Sequence, residues 1–278
     1  MQHLRKHKLR SKFVLERIHR DRMGVFYAWP GERSEMGSRT GGADPRPGMG
    51  SRWIEDFGSP SKELEELEKQ GSKVADRDYK IHRMLNGIAE GQTEIVGMSA
   101  LPQESNIDFF GGIDFYKGCY LGQELTIRTH HTGVVRKRIL PCQIYDEDHV
   151  ISEDQTMPEF LEDTKVSLPP PESNMSKSSS KAKGRSTGKW LDGVGNIGLA
   201  LCRLEVMTGI QLTAEPPNYD PKEQFRVQWE PDEKGLPTRQ ALVKPFVPPW
   251  LREKIVESLK RRERKPRKYE EEEDEVLE

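Results

Sequence analysis

The chain has 278 residues, three cysteines and nearly balanced charge, 44 Lys and Arg against 46 Asp and Glu. Hydrophobic residues make up 33% and charged residues 32%, so some stretches are expected to stay outside any core. No run of eighteen apolar residues marks a helical membrane span, and cysteines this widely spaced do not make a secreted disulfide framework.

The first twenty-two residues are strongly basic and read as a helix end running into a strand at Phe13, Val14, Leu15 and Ile18. By composition alone they also suit a mitochondrial transit peptide or a nucleic-acid arm. Residues 31–52 (GERSEMGSRTGGADPRPGMGSR) carry little to bury and read as a loop. Ser59 and Pro60 open a predicted helix that Gly71 can stop. A second helix is predicted over 73–85, burying Val74, Ile81, Met84 and Leu85 and ending at Asn86 and Gly87. Residues 93–96 read as a short strand.

Strands are predicted over 133–145, 197–206, 225–229 and 241–247, followed by a helix over 250–264. Between the first two lies the polar stretch 147–189, whose SLPPPESNMSKSSSKAKGRSTGK portion reads as a disordered insertion. Residues 260–268 are basic and 270–275 acidic, the pattern of a solvated tail. The fold class is therefore α+β: helices and strands mix in the first half, and a small β-barrel follows residue 130.

Several candidate motifs fail on context. Gly193, Gly195 and Gly198 match G-x-G-x-x-G, but the following segment is strand-like, so turn glycines are the better reading. The segment from Gly184 to Lys189 is one residue short of a phosphate-binding loop and continues into Trp190. Adjacent His130 and His131 lack partners at metal-ligand spacing, and Cys119, Cys142 and Cys202 cannot supply the four thiolates of a resident iron–sulfur cluster.

One stretch carries chemistry. Cys119 follows Lys117 and Gly118 and precedes a predicted short helix over 121–129. A helix N-terminus and a nearby ammonium both favour a thiolate, the form that acts as nucleophile or metal ligand. Gln123, Glu124 and Arg128 on the following turns could fix a polar ligand or partner. A small buried cysteine is an equally good reading of the same residues.

The run Lys117-Gly118-Cys119-Tyr120-Leu121-Gly122-Gln123-Glu124 resembles the K-G-C-Y-x-G-Q-E signature of the YgfZ/GcvT family, folate-binding-like proteins related to the glycine-cleavage aminomethyltransferase. Arg83 with GIAEG at 87–91 resembles a second family stretch, and Leu101-Pro102 with Glu104, Asn106 and Asp108 a third. Arg128-Thr129, the GVVRKR run at 133–138, and Gly198 to Leu201 with Arg203-Leu204 complete the likeness.

The resemblance implies a partial folate-binding-like domain over 1–130, with a polar loop at 31–52. It further implies a C-terminal β-barrel over 131–250 carrying the insertion near 147–189, then a helix and charged tail over 251–278. Within the family the likeness is to eukaryotic mitochondrial members that work in iron–sulfur cluster assembly and carry a transferase name in fungi. The implied function is maturation of [4Fe–4S] proteins in the mitochondrial matrix, with A-type scaffold proteins and ferredoxin as partners. Aconitase-type and radical-SAM clients such as lipoate synthase would be the recipients.

On that reading Cys119 is the reactive thiol or a transient ligand of a cluster shared with a partner, and Lys117 tunes it. Arg83, Asn106, Asp108, Gly118, Tyr120, Gly122, Gln123, Glu124 and Arg128 would shape the pocket or partner face. The alternative is a tetrahydrofolate-dependent one-carbon transferase. Nucleic acid binding through the basic ends is the weakest reading, given the acidic tail beside one of them. Family members carry more sequence ahead of the LRKHKLRSKF element, so the chain is expected to lack part of its first domain and its targeting segment.

Overall fold

The computed structural model describes residues 23–29, 41–56, 58, 62, 65, 69, 73–131, 133–148, 151–152, 154–179, 186–216, 218–230 and 238–263. Two compact units divide the chain at Val74 and Ala75.

In the first unit, strands β1 (Met23–Ala28), β2 (Gly41–Ala43) and β3 (Ser51–Asp56) form an antiparallel sheet in the order β1-β3-β2. Ser51, Trp53 and Glu55 alternate inward along β3, the period of two that a one-sided sheet requires. The loop expected over 31–52 is thus strand at its later end, with Gly42 paired to Arg52 and Ala43 to Ser51. Residues 31–40 and the basic first twenty-two lie outside the described residues. So does most of the helix expected over 59–71, although Lys62, Glu65 and Lys69 are helical.

The second unit opens with helix α1 (Asp76–Leu85) and the short turn α2 (Gly91–Glu94), and continues through α3 (Gln123–His131). Strands β4 (Lys137–Tyr145), β5 (Asn174–Lys177), β6 (Gly188–Val194), β7 (Ile197–Arg203), β8 (Phe225–Trp229) and β9 (Arg239–Pro245) close into a barrel ordered β4-β7-β6-β5-β8-β9. Helical turn α4 (Leu204–Met207) follows β7, and α5 (Pro249–Glu263) ends the described chain. No helix among the described residues is long and apolar enough to cross a membrane.

Strand β4 is buried nearly end to end because both of its faces are covered. Leu140, Cys142 and Ile144 join Trp190, Ala200, Cys202, Phe225, Val227 and Val243 in the main core, against Leu251 and Ile255 of α5. Ile139 instead joins Leu191, Ile197 and Leu199 in a second cluster under Met84 of α1. The α+β class and the small C-terminal barrel therefore agree with the sequence reading.

Three local expectations are corrected, the first being Val74, which lies ahead of α1 and is 54% exposed rather than buried. Residues 93–96, read as a strand, lie at the end of the turn α2 and just past it. Arg83 holds Glu94 through two bonds of 2.6 and 2.7 Å, and that buried pair overrides the strand preference of Thr93, Ile95 and Val96. The polar stretch 147–189, read as a disordered insertion, is tied to the barrel at several of its described residues and supplies one of the barrel strands. Gln143 Oε1 accepts the Glu159 N–H at 3.0 Å, and Asn196 Oδ1 accepts the Leu161 N–H at 2.8 Å, so two buried amides pin this stretch to the strands. Further along, β5 places Met175 in the core and bridges β6 to β8. The glycines of the rejected dinucleotide motif do sit at a strand turn. Gly195, at φ +59°, opens the two-residue link between Val194 and its partner Ile197.

Candidate functional site

The polar framework beneath the signature starts at Arg138 on β4. Its Nη1 donates to the Gln103 carbonyl at 2.7 Å, to Asn106 Oδ1 at 3.1 Å and to Asp108 Oδ1 at 2.9 Å. Nη2 reaches Asp108 Oδ2 at 2.9 Å, and the guanidinium lies 3.8 Å from the centroid of Phe109. Asn106 is fully buried at φ +62°, a left-handed conformation that asparagine tolerates better than most residues, and its Nδ2 donates to the Ile139 carbonyl at 2.9 Å. The LP-x-E-x-N-x-D segment thus docks against the edge of β4, where the Glu104 carbonyl also accepts the Ile139 N–H at 2.8 Å.

Gln103 carries this order to the signature helix, since its Nε2 donates to the Thr126 carbonyl of α3 at 3.2 Å. The loop between is closed locally. Asp114 Oδ1 accepts the Tyr116 N–H at 2.9 Å, an Asx turn, and Gln123 Oε1 accepts the Tyr120 N–H at 3.1 Å. Gly122 takes φ +82° to bring the chain into α3. Phe115 stacks on His130 with ring centroids 3.6 Å apart, tying the loop to the far end of the same helix.

Cys119 is exposed on this loop, whereas Cys142 and Cys202 are buried in the barrel. Lys117, Gly118, Leu121, Gly122, Glu124 and Arg128 are exposed with it, and Tyr120 and Gln123 are half-buried. Two details differ from the expectation. Helix α3 begins at Gln123, so its N-terminus lies past the thiol and not beside it. The Lys117 ammonium sits over the Tyr120 ring, 4.9 Å from its centroid, so its charge makes a cation–π contact that the sequence did not suggest. Glu124 has no hydrogen-bond or ion-pair partner among the described residues.

Arg83, Asn106 and Asp108 occupy other places. Arg83 is buried against Glu94, also donates to the Ile88 carbonyl at 3.0 Å and lies 3.7 Å from Glu90. Burial works to lower its pKa, but the bonds and charge of Glu94 prevail and hold it above its ordinary value. Asn106 and Asp108 serve Arg138. Asn106 and Asp108 build the scaffold under the loop, Arg83 braces the turn α2, and all three are satisfied by internal partners. Arg138 itself was missed as a framework residue. Its signal is Asp108 in the 104–108 segment, a carboxylate that needs a cation to match it once buried.

Beside the framework lies a cavity of about 300 Å³ lined by Phe109, Phe115, Tyr116, His130, Arg138 and Lys254 among others. Among the described residues no group of three or more His, Cys, Asp or Glu is placed to hold a metal ion. The arrangement offers one accessible thiol that can contribute a single ligand or a single nucleophile.

Residues 136–253 match a family profile described as the CAF17 C-terminal beta-barrel domain. A protein of Aspergillus oryzae named "Iron-sulfur cluster assembly factor IBA57 homolog, mitochondrial" is 45% identical over 284 residues, covering 92% of this chain and 62% of its own length. Proteins of the same name from Coccidioides immitis and Neurospora crassa are 41% and 39% identical, covering 92% and 90% of this chain. The chain spans 63% and 62% of those two relatives.

Proposed function

We propose, of a chain that belongs to the YgfZ/GcvT-related family and carries a CAF17-type barrel, that it acts in mitochondrial iron–sulfur cluster assembly. The observation that carries this reading is the exposed Cys119, the one solvent-accessible thiol among the three, presented on a loop that three separate contacts hold in shape. A single thiolate cannot retain a cluster, because iron–sulfur centres take several protein ligands. It can complete one whose other ligands come from a partner. A-type scaffold proteins and ferredoxin, acting in the matrix, are the partners this reading calls for. Apoproteins of the aconitase and radical-SAM types, lipoate synthase included, are its clients.

The test is anaerobic cluster assembly with the chain and an A-type scaffold, given ferrous iron and sulfide. The cluster's charge-transfer absorption should appear on a complex of the two proteins, and Cys119→Ser should remove it from the complex. Equal absorption with the serine variant would overturn the role of the thiol.

A tetrahydrofolate-dependent one-carbon transferase is the second reading, favoured by the aromatic and cationic walls of the cavity beside Arg138. At about 300 Å³ that space suits a flat ring system better than the whole cofactor. Glu94 and Asp108 are neutralised by Arg83 and Arg138, which removes these two carboxylates from a proton-transfer role. Absence of saturable tetrahydrofolate binding by calorimetry would dispose of it.

A further inference from the structure

We propose that a second cavity, which shares no lining residue with the signature loop, binds a carboxylate carried on a small apolar body. This cavity is an open cleft between the 94–105 segment and the flank of the barrel, has a volume of about 310 Å³, and is floored by Ile139, Leu191 and Leu201. Val96, Ala100 and Leu101 form the opposite wall.

The charges at its rim are matched in all but one case. Lys137 pairs with Glu104 at 3.4 Å, and Lys189 with Glu172 at 3.6 Å. Glu94 is neutralised from behind by Arg83 at 2.6 Å. Arg203, at the end of β7, also lines the cavity, and its guanidinium has no hydrogen-bond or ion-pair partner among the described residues. One unmatched, forked donor above an apolar floor is the recognition pattern for a carboxylate, which can accept both arms of the fork. Glu104 and Glu172 beside it disfavour a doubly charged anion such as a phosphate monoester. The ligand is therefore a monoanion with an aliphatic or aromatic body, either a free organic acid or the C-terminal residue of a peptide.

Calorimetric titration of the 278-residue chain decides the matter. The probes are 4-methylpentanoate, N-acetyl-leucyl-leucine and the neutral amide of each. The acids should bind, and each amide should bind at least about tenfold more weakly, a difference near 1.4 kcal/mol. Arg203→Gln should weaken the acids by a similar factor, and Arg203→Lys should recover part of the loss. Tighter binding of the simple acid identifies a metabolite as the ligand; tighter binding of the dipeptide identifies a chain end. Should Arg203→Gln fail to fold, Ala100→Trp fills the wall with the guanidinium untouched and must abolish binding. Equal affinity for acid and amide, indifference to both variants, or no binding at millimolar probe would overturn the proposal. None of these readouts depends on cluster assembly, so either reading can fail alone.

Discussion

Arg138 and Asp108 meet through two parallel bonds of 2.9 Å, both side chains almost withdrawn from solvent. The geometry is the bidentate one in which a guanidinium and a carboxylate each satisfy two sites at once. Because the same arginine also holds the Gln103 carbonyl, and Gln103 holds α3, the pair reaches from the barrel wall to the helix behind the thiol loop.

Breaking that pair should be costly. Arg138→Gln leaves Asp108 charged and buried without its partner, for which about 3–5 kcal/mol of stability is expected to be lost. Replacing both residues by apolar ones of similar size should cost clearly less than either single change predicts. Urea unfolding of the two singles and the double measures this, and a loss below about 1 kcal/mol for Arg138→Gln would contradict the assigned role.

The three thiols should separate sharply in reactivity. Iodoacetamide should modify Cys119 in the folded chain and reach Cys142 and Cys202 only after denaturation, as read by intact mass. Burial, reinforced by Cys202, pushes the Cys142 thiol well above its ordinary value of 9.0. A raised pKa stabilises the fold fully below the unfolded value, and that contribution is lost as pH rises beyond it. Stability should therefore fall from about pH 9 upward, and less steeply in Cys142→Val than in the parent chain.

Tyr116 and Leu121 flank the thiol and are almost fully exposed, with relative accessibilities of 96% and 103%. In the proposed role they meet a partner, so Tyr116→Ser and Leu121→Ser should weaken capture of an A-type scaffold. Neither should change folding stability by more than about 0.5 kcal/mol, the usual range for exposed positions. Pull-down and thermal unfolding of the same variants check both halves. Undiminished capture would show that the aromatic and aliphatic groups beside the sulfur face solvent throughout.

Gly198 is the other sensitive position. A methyl group there would lie 2.4 Å from the Trp190 ring and from the Asp192 carbonyl. Neither the buried indole nor the strand can easily retreat, so Gly198→Ala should cost about 1–3 kcal/mol by overpacking. Gly42 on β2, whose added methyl would meet nothing within 4 Å, supplies the matched control.

Much of the barrel was legible because β4 and β7 carry dense aliphatic runs, β8 alternates Phe225, Val227 and Trp229 with polar residues, and β9 carries the apolar run Ala241 to Val243. Strand β5 was hidden because a single buried residue, Met175, represents it in a polar surround. Its pairing depends on β6 and β8, and no local pattern encodes a neighbour that distant. The same limit explains α2, whose fate is decided by Arg83 on another helix. At the site, the octapeptide located the accessible cysteine. The sequence could not say that Lys117 leans over Tyr120 or where α3 begins, since a rotamer and a helix boundary answer to packing.

The barrel also has a consequence for biosynthesis. Strand β4 is partnered on one side by β9, which lies almost at the end of the described chain. Emerging from the ribosome, the earlier strands must wait with unsatisfied margins until residues 239–245 arrive to complete the ring, an arrangement of long sequence separation that slows folding and invites chaperone custody.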